Sequence, residues 1–243
     1  MKQQEYARQF AVEATHWWFV ARRRFVERVL DIVEIAKGSR LRIADIGAGT
    51  GGMERFLSAY GTVIGIEPSP TGRILAKKRG IRLQAGTAEQ TDLESASVDL
   101  VCFFDVLYHK QVDVTRALNE AHRILKPNGT LVITDCAVPW LYGPNDRAVE
   151  GRERFTKQYL MDLVTSGHLQ VRYCSYIYFL LFPVFMVGRL TQKYILPKRE
   201  VSDVAPLPTW VNTVFSAICR VEERFLPFGS LPWGSSLILI AQK

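Results

Sequence analysis

Cysteine is scarce and poorly placed for metal. Cys102, Cys136, Cys174 and Cys219 are the only four in 243 residues, and none forms a CxxC pair. A zinc site or a disulfide framework needs clustered thiols, so no metal ligand is assigned. Scattered thiols suit a reducing cytosol, and the chain is expected to be cytoplasmic. Cys102 and Cys136 fall in strand-like runs and read as small core residues. Long apolar runs are also missing. The opening Met1-Lys2-Gln3-Gln4-Glu5 is polar, unlike a signal peptide. Residues 176–190 are the one candidate span, but Pro183 interrupts them and Arg189 ends their uncharged stretch. A spanning helix needs roughly 20 apolar residues, so a buried or interfacial segment is expected. Charge is not concentrated either. The net charge of +7 favours anionic partners. Yet the basic runs reach only three residues, and Arg22-Arg23-Arg24 sits in an aromatic helical pattern. No basic, aromatic-interleaved RNA-binding module is evident, so nucleic acid is not expected as a partner.

What remains is a chain rich enough in apolar residues, 48%, to fill a core. Phe10, Trp17, Trp18, Phe25, Val29, Ile32 and Val33 recur at helical spacing and predict a helix over 5–36, stopped near Gly38. Strand patterns follow at 41–46, 62–66, 81–84, 98–104 and 130–134. Helical patterns lie between them at 53–60, 71–79 and 112–125. A helix at 158–166, a strand at 169–178, two helix-like stretches in 180–228 and an apolar strand at 236–241 complete the chain. Strand and helix alternate, which predicts an α/β fold: a doubly wound, mostly parallel sheet of seven strands with helices on both faces. Residues 1–40 form a helical cap. Residues 41–175 and 234–243 form the core, and residues 176–233 an apolar helical insertion.

The chemistry concentrates at the ends of the first strands. Gly47-Ala48-Gly49-Thr50-Gly51-Gly52 follows a strand and opens a helix. Glycine allows the positive φ and close backbone approach such a turn needs. No Lys-Ser/Thr follows, which excludes an ATP-type P-loop. The spacing fits the GxGxxG dinucleotide pattern, so a nicotinamide or flavin oxidoreductase is one reading. Glu67 ends the second strand about 20 residues later, where a carboxylate accepts from both ribose hydroxyls. Asp45 separates the readings. It lies inside the strand, just before the first glycine, where dinucleotide fingerprints usually carry an apolar residue or the glycine itself.

Four segments together resemble class I S-adenosylmethionine-dependent methyltransferases, which have a Rossmann-like seven-stranded sheet. They are Ile43-Ala44-Asp45-Ile46-Gly47-Ala48-Gly49-Thr50-Gly51, Gly65-Ile66-Glu67, Asp105-Val106-Leu107-Tyr108-His109, and Arg123-Ile124-Leu125-Lys126-Pro127-Asn128-Gly129-Thr130-Leu131. The opening His16-Trp17-Trp18-Phe19 with Arg22-Arg23, the stretch from Asp146 to Phe155 and the closing Pro232-Trp233-Gly234-Ser235-Ser236-Leu237 are similar to a bacterial and archaeal branch often linked to glycan or lipid modification.

The resemblance implies S-adenosyl-L-methionine as cofactor. Asp45, Gly47, Ala48, Gly49 and Gly51 would cradle its methionine and ribose side, Glu67 would hold the ribose hydroxyls, and Pro68 would lie near the adenine. The family's Gly-Asp-Ala is here Gly86-Thr87-Ala88, so Thr87 would bring a hydroxyl where a carboxylate is usual and Ala88 its backbone N–H toward the adenine. Phe104 and Asp105 would face the reacting methyl. Arg22 or Arg23 would bind the cofactor carboxylate, and Arg23 is the assigned residue. Asp105 and His109 are the candidate general bases, although a histidine packing the next helix is an equal reading of His109. His16, beside two tryptophans, reads as helix packing. Arg152-Glu153-Arg154-Phe155 departs from the branch's paired arginines and tyrosine.

The Asn/Asp-Pro-Pro-Tyr/Phe motif of amino methylation in DNA is missing. That lowers the expectation of a DNA acceptor, and the resemblance to the branch implies a small molecule, a lipid or a lipid-linked glycan instead. The apolar 178–187 stretch, followed by Arg189, Lys193, Lys198 and Arg199, is either a buried lid over the acceptor or an interfacial anchor on anionic lipid. A non-catalytic cofactor-binding module is the third reading.

Overall fold

The computed structural model describes residues 1–195 and 204–243, so Lys198 and Arg199 lie outside the described residues. Two helices open the chain, α1 (Gln3–Val12) and α2 (Trp17–Ile32). The single helix expected over 5–36 is therefore broken. The break falls where His16 caps α2, its Nδ1 accepting from the Trp18 amide at 3.3 Å. A side-chain acceptor there satisfies one of the amides that a helix start leaves unpaired. The apolar spacing runs on across the break, which is why periodicity did not reveal it.

Next come β1 (Leu41–Ile46), α3 (Glu54–Leu57), β2 (Gly61–Ile66), α4 (Pro70–Lys78), β3 (Val98–Phe104), α5 (Val114–Ile124) and β4 (Leu125–Cys136). They are followed by α6 (Pro144–Ala148), α7 (Lys157–Ser166), β5 (Gln170–Ile177), α8 (Phe182–Tyr194), α9 (Thr209–Glu222) and β6 (Ser236–Gln242).

Among the described residues the sheet has six strands, ordered β2-β1-β3-β4-β6-β5. β1 to β4 pair in parallel, and β6 runs antiparallel to both of its neighbours. The expected count of seven is corrected at residues 81–84. They make one isolated bridge, Gln84 to Ile66, rather than a strand. The chain leaves α4 through Gly80 at φ +78°, and only Gln84 comes into register. Its N–H donates to Gly65 O at 2.8 Å, and its carbonyl accepts from Glu67 N at 2.9 Å.

Side chains alternate across the strands and feed two cores. Ala44, Ile46, Val101, Phe103 and Ile133 pack with α5 and α7 on one face. Ile43, Leu100, Cys102 and Val132 pack with Phe25 and Val29 of α2 and Cys219 of α9 on the other. Full burial of a side chain such as Phe25 contributes about 1.5–3 kcal/mol. This packing ties the N-terminal cap to the sheet. α8 does not form a buried helix, since none of its residues is fully buried. No helix among the described residues is long and apolar enough to cross a membrane.

Candidate active site

The carboxyl ends of β1, β3 and β4 lie side by side, with Ile46 opposite Phe103 and Phe104 opposite Thr134. Open α/β sheets bind ligands beyond this edge. A cleft of about 400 Å³ opens there. Its floor is the glycine loop. Gly47 has φ +76°, and a Cβ on it would stand 2.5 Å from Val106 Cγ2. The Gly47 and Ala48 amides donate to Ile66 O at 2.8 and 3.0 Å, pinning the loop to the end of β2.

Glu67 joins that end to the loop and to α1. Its Oε2 accepts from the Gly49 amide at 2.8 Å, and its Oε1 accepts from Ser69 N and from the Tyr6 hydroxyl, both at 2.8 Å. Burial pushes the carboxyl up from its ordinary range, opposed by the Ser69 amide, the Tyr6 hydroxyl and the Gly49 amide. A carboxylate has about four lone-pair directions. Three are filled, and one of the three partners is a side chain on a separate helix.

Of the expected cofactor residues, Gly47, Gly49, Glu67, Pro68, Thr87, Ala88 and Phe104 line the cleft, as do Asp105 and His109. Asp45, Ala48, Gly51 and Arg23 lie outside its wall. Gly51 turns away from it: a Cβ there would meet Ile81 and the Ala76 methyl of α4. Asp45 is buried behind the loop, and its Oδ2 has no hydrogen-bond partner. Burial and the nearby Glu54 charge raise its carboxyl well above the usual range, against the pull of Arg22. Burial thus disfavours the ionised form of Asp45, since an isolated buried charge is costly.

Arg23 points off the cleft, donating to the Glu13 and Ala14 carbonyls at 3.3 Å. Its neighbour Arg22 takes the cleft position instead, because adjacent helical residues project about 100° apart. The Arg22 guanidinium pairs with Asp105 and sits 5.1 to 5.7 Å from the rings of Trp18, Phe19 and Phe104. Asp105 follows β3 at φ +59°, a region that Asp tolerates better than most residues. Burial raises its carboxyl, and the Arg22 charge opposes that.

Asp135 lies beside it at the end of β4. The Leu107 and Cys136 amides donate to its two oxygens at 2.9 and 2.8 Å. Burial, then the Asp105 charge, raise its carboxyl well above normal. Asp105, Asp135 and Cys136 bring potential metal-ligand atoms within 4.8 Å of one another. Backbone amides occupy both Asp135 oxygens and the Arg22 guanidinium occupies Asp105 Oδ2, while Asp105 Oδ1 is buried without a hydrogen-bond partner. The His109 ring packs at a tilt against Tyr108, ring centres 4.2 Å apart. Burial holds its pKa down to about 4, which leaves it neutral at pH 7.

Several wall residues escaped the sequence reading. Tyr6 and Gln9 of α1 close one side of the cleft, and Trp18 another. The signal for α1 was present: Glu5, Gln9 and Glu13 recur every four residues beside Tyr6, a polar face that needs a partner. Asp135, a strand-end acid like Asp45, was legible in the same way. Of Arg152-Glu153-Arg154-Phe155, only Arg154 is buried with a polar partner, Asp146, at 2.8 Å. Arg152 pairs with Glu153 at the surface, and Phe155 is core.

Residues 44–133 match a protein-family model described as a methyltransferase domain. The chain is 35% identical over 106 residues to a ubiquinone/menaquinone biosynthesis C-methyltransferase from Rubrivivax gelatinosus, covering 41% of each chain. It is 24% identical over 186 residues to a malonyl-[acyl-carrier protein] O-methyltransferase from Coxiella burnetii, covering 74% of this chain and 61% of that one. The matches thus span less than two thirds of these curated relatives. Among solved structures, a SAM-dependent methyltransferase from Thermotoga maritima superposes over all of both chains, with TM-score 0.61 and 21% identity. A geranyl diphosphate C-methyltransferase from Streptomyces coelicolor matches 89% of this chain and 78% of its own, with TM-score 0.58 and 15% identity. These likenesses establish a shared fold.

Proposed function

We propose that this chain, whose residues 44–133 carry a methyltransferase domain, is an S-adenosylmethionine-dependent methyltransferase acting on a small-molecule, lipid or lipid-linked glycan acceptor. The observation that carries this reading is the pairing of a glycine-floored cleft with Glu67 at the end of β2 and Phe104-Asp105 at the end of β3. The cleft suits the cofactor. Gly47 keeps the floor free of side chain, Glu67 has one lone-pair direction open to a ribose hydroxyl, and Pro68, Thr87 and Ala88 form the wall for the adenine. S-adenosylmethionine, when bound, supplies a methyl made electrophilic by its sulfonium.

The protein's task is then alignment. Holding a nucleophile in line with its target replaces a bimolecular encounter with an oriented one. Arg22, fixed by Asp105 and three aromatic rings, anchors the methionine end of the cleft and takes the role first assigned to Arg23. His109, neutral at pH 7, accepts the acceptor's proton where the acceptor carries one. The exposed valines of α8, Val184 and Val187, together with Lys193, favour an acceptor met at an anionic lipid surface. Flotation with anionic vesicles tests that contact, and absence of binding ends it.

Titration calorimetry with S-adenosylmethionine and with NAD tests the main reading. Binding of the first alone is expected. Binding of NAD alone would replace this reading with a dinucleotide oxidoreductase.

A further inference from the structure

Beside the cofactor cleft lies a second cavity of about 280 Å³. Its walls are mostly apolar, with Trp17, Leu141, Val184, Phe185 and Phe215 prominent. The two spaces share Trp18, Tyr108 and Val149 as walls and so are immediate neighbours. Cys136 of the second cavity has its Sγ within 4.8 Å of Asp105 and Asp135 oxygens, at the strand ends beneath the cleft.

In this wall His16 and Gln192 each bury a polar atom without a hydrogen-bond partner, and of these His16 carries the donor. It is 95% buried, at 5% relative exposure, and packs 5.8 Å from the Trp17 ring and 6.0 Å from the Phe19 ring. Its Nδ1 accepts from the Trp18 amide, so the neutral ring carries its proton on Nε2. That Nε2 is buried and has no hydrogen-bond partner. A buried donor without an acceptor costs about 1–3 kcal/mol, and helix capping does not require one: Asn or Ser caps as well. Burial holds the ring pKa down to about 4, which keeps the ring neutral at pH 7. Asp146, the one acid in the cavity wall among the described residues, is engaged by Arg154, Arg189 and the Gly143 amide at 2.8 to 2.9 Å.

We infer that this cavity seats the methyl acceptor as an apolar molecule bearing an oxygen that accepts a hydrogen bond from His16 Nε2. Its role as the acceptor site rests on the methyltransferase reading above; its preference for an oxygen-bearing apolar ligand does not. His16 fixes which way the molecule lies and so which of its atoms meets the cleft past Tyr108.

The test uses the full chain and two probes matched in shape, 2-acetylnaphthalene with a carbonyl oxygen and 2-ethylnaphthalene without one. Affinities are measured by equilibrium dialysis for the wild type, His16→Asn and His16→Ser. Both substitutions keep a helix cap and remove the Nε2 donor. The ketone is expected to bind the wild type about tenfold more tightly than the hydrocarbon, the scale of one buried hydrogen bond. The ratio is expected to fall to about one in both variants, with S-adenosylmethionine affinity unchanged. A wild-type ratio of one, a ratio that survives both substitutions, or failure of both probes to bind would overturn the proposal. If the wild type ignores S-adenosylmethionine while the probe ratios behave as expected, the methyl-donor reading falls and the oxygen-reading cavity stands.

Discussion

Arg22 of α2 and Asp105 at the end of β3 form a buried ion pair across 83 residues of sequence. The pair joins the N-terminal cap to the sheet at the edge of the cleft. Removing one partner leaves the other as an uncompensated buried charge. Arg22→Met is expected to cost about 3–5 kcal/mol of stability at pH 7. Adding Asp105→Asn, which tolerates the same positive φ, is expected to restore more than half of that loss. Urea unfolding of both variants checks this, and a double variant no more stable than the single would refute the pairing argument.

Glu67 supplies the acceptor oxygens on which the cofactor reading depends. Glu67→Ala is expected to weaken S-adenosylmethionine binding by about 1–3 kcal/mol, the scale of a lost charged hydrogen bond. Calorimetry measures it directly. Unchanged affinity would take Glu67 out of the site.

Gly38 and Gly47 make a controlled comparison. Both have positive φ, +81° and +76°, but a Cβ meets nothing within 4 Å at Gly38 and Val106 at Gly47. Gly38→Ala is expected to cost about 1–2 kcal/mol, from backbone conformation alone. Gly47→Ala should cost visibly more and also reduce cofactor binding. Equal losses in thermal melts would mean that Val106 moves aside freely.

Glu54 gives stability a pH dependence with a definite sign. Burial raises its pKa from 4.5 to about 7 in the fold. Between those values the folded state holds a proton that the unfolded state has lost. Stability from this group therefore falls as pH rises from 4.5 through 7, and the full cost stands above 7. Glu54→Gln is expected to stabilise the protein by about 2–3 kcal/mol at pH 8, with little effect at pH 4.5. Urea midpoints at the two pH values would show it; a gain of equal size at both would contradict the assignment.

Most of the sheet was legible because its strands are short apolar runs set between turn residues and amphipathic helices. The segment at 81–84 misled because four residues of strand composition say nothing about whether a neighbour lies in register. The glycine loop and Glu67 were readable from spacing. Asp45 was readable as unusual, but its place behind the loop depends on how β1 packs under Glu54 and Arg22. Choosing between Arg22 and Arg23 needed the rotation of α2, which a run of three arginines does not disclose. Tyr6 and His16 were read as ordinary helix residues. Their partners, Glu67 and the second cavity, come from parts of the chain far removed in sequence.

The antiparallel strand β6 sits between β4 and β5, with Gln242 opposite both Thr130 and Gln170. The interior of the sheet is thus closed by the segment that leaves the ribosome after the other five strands. Until residues 236–242 emerge, β4 and β5 each present an open edge, and their union waits on pairs with β4 that span 100 to 112 residues of sequence. Such closures carry a loop-entropy cost and slow folding. On this topology the glycine cradle can form early during synthesis, whereas the cavity holding His16, which borrows Ser235 and Ser236 from the start of β6, is completed last.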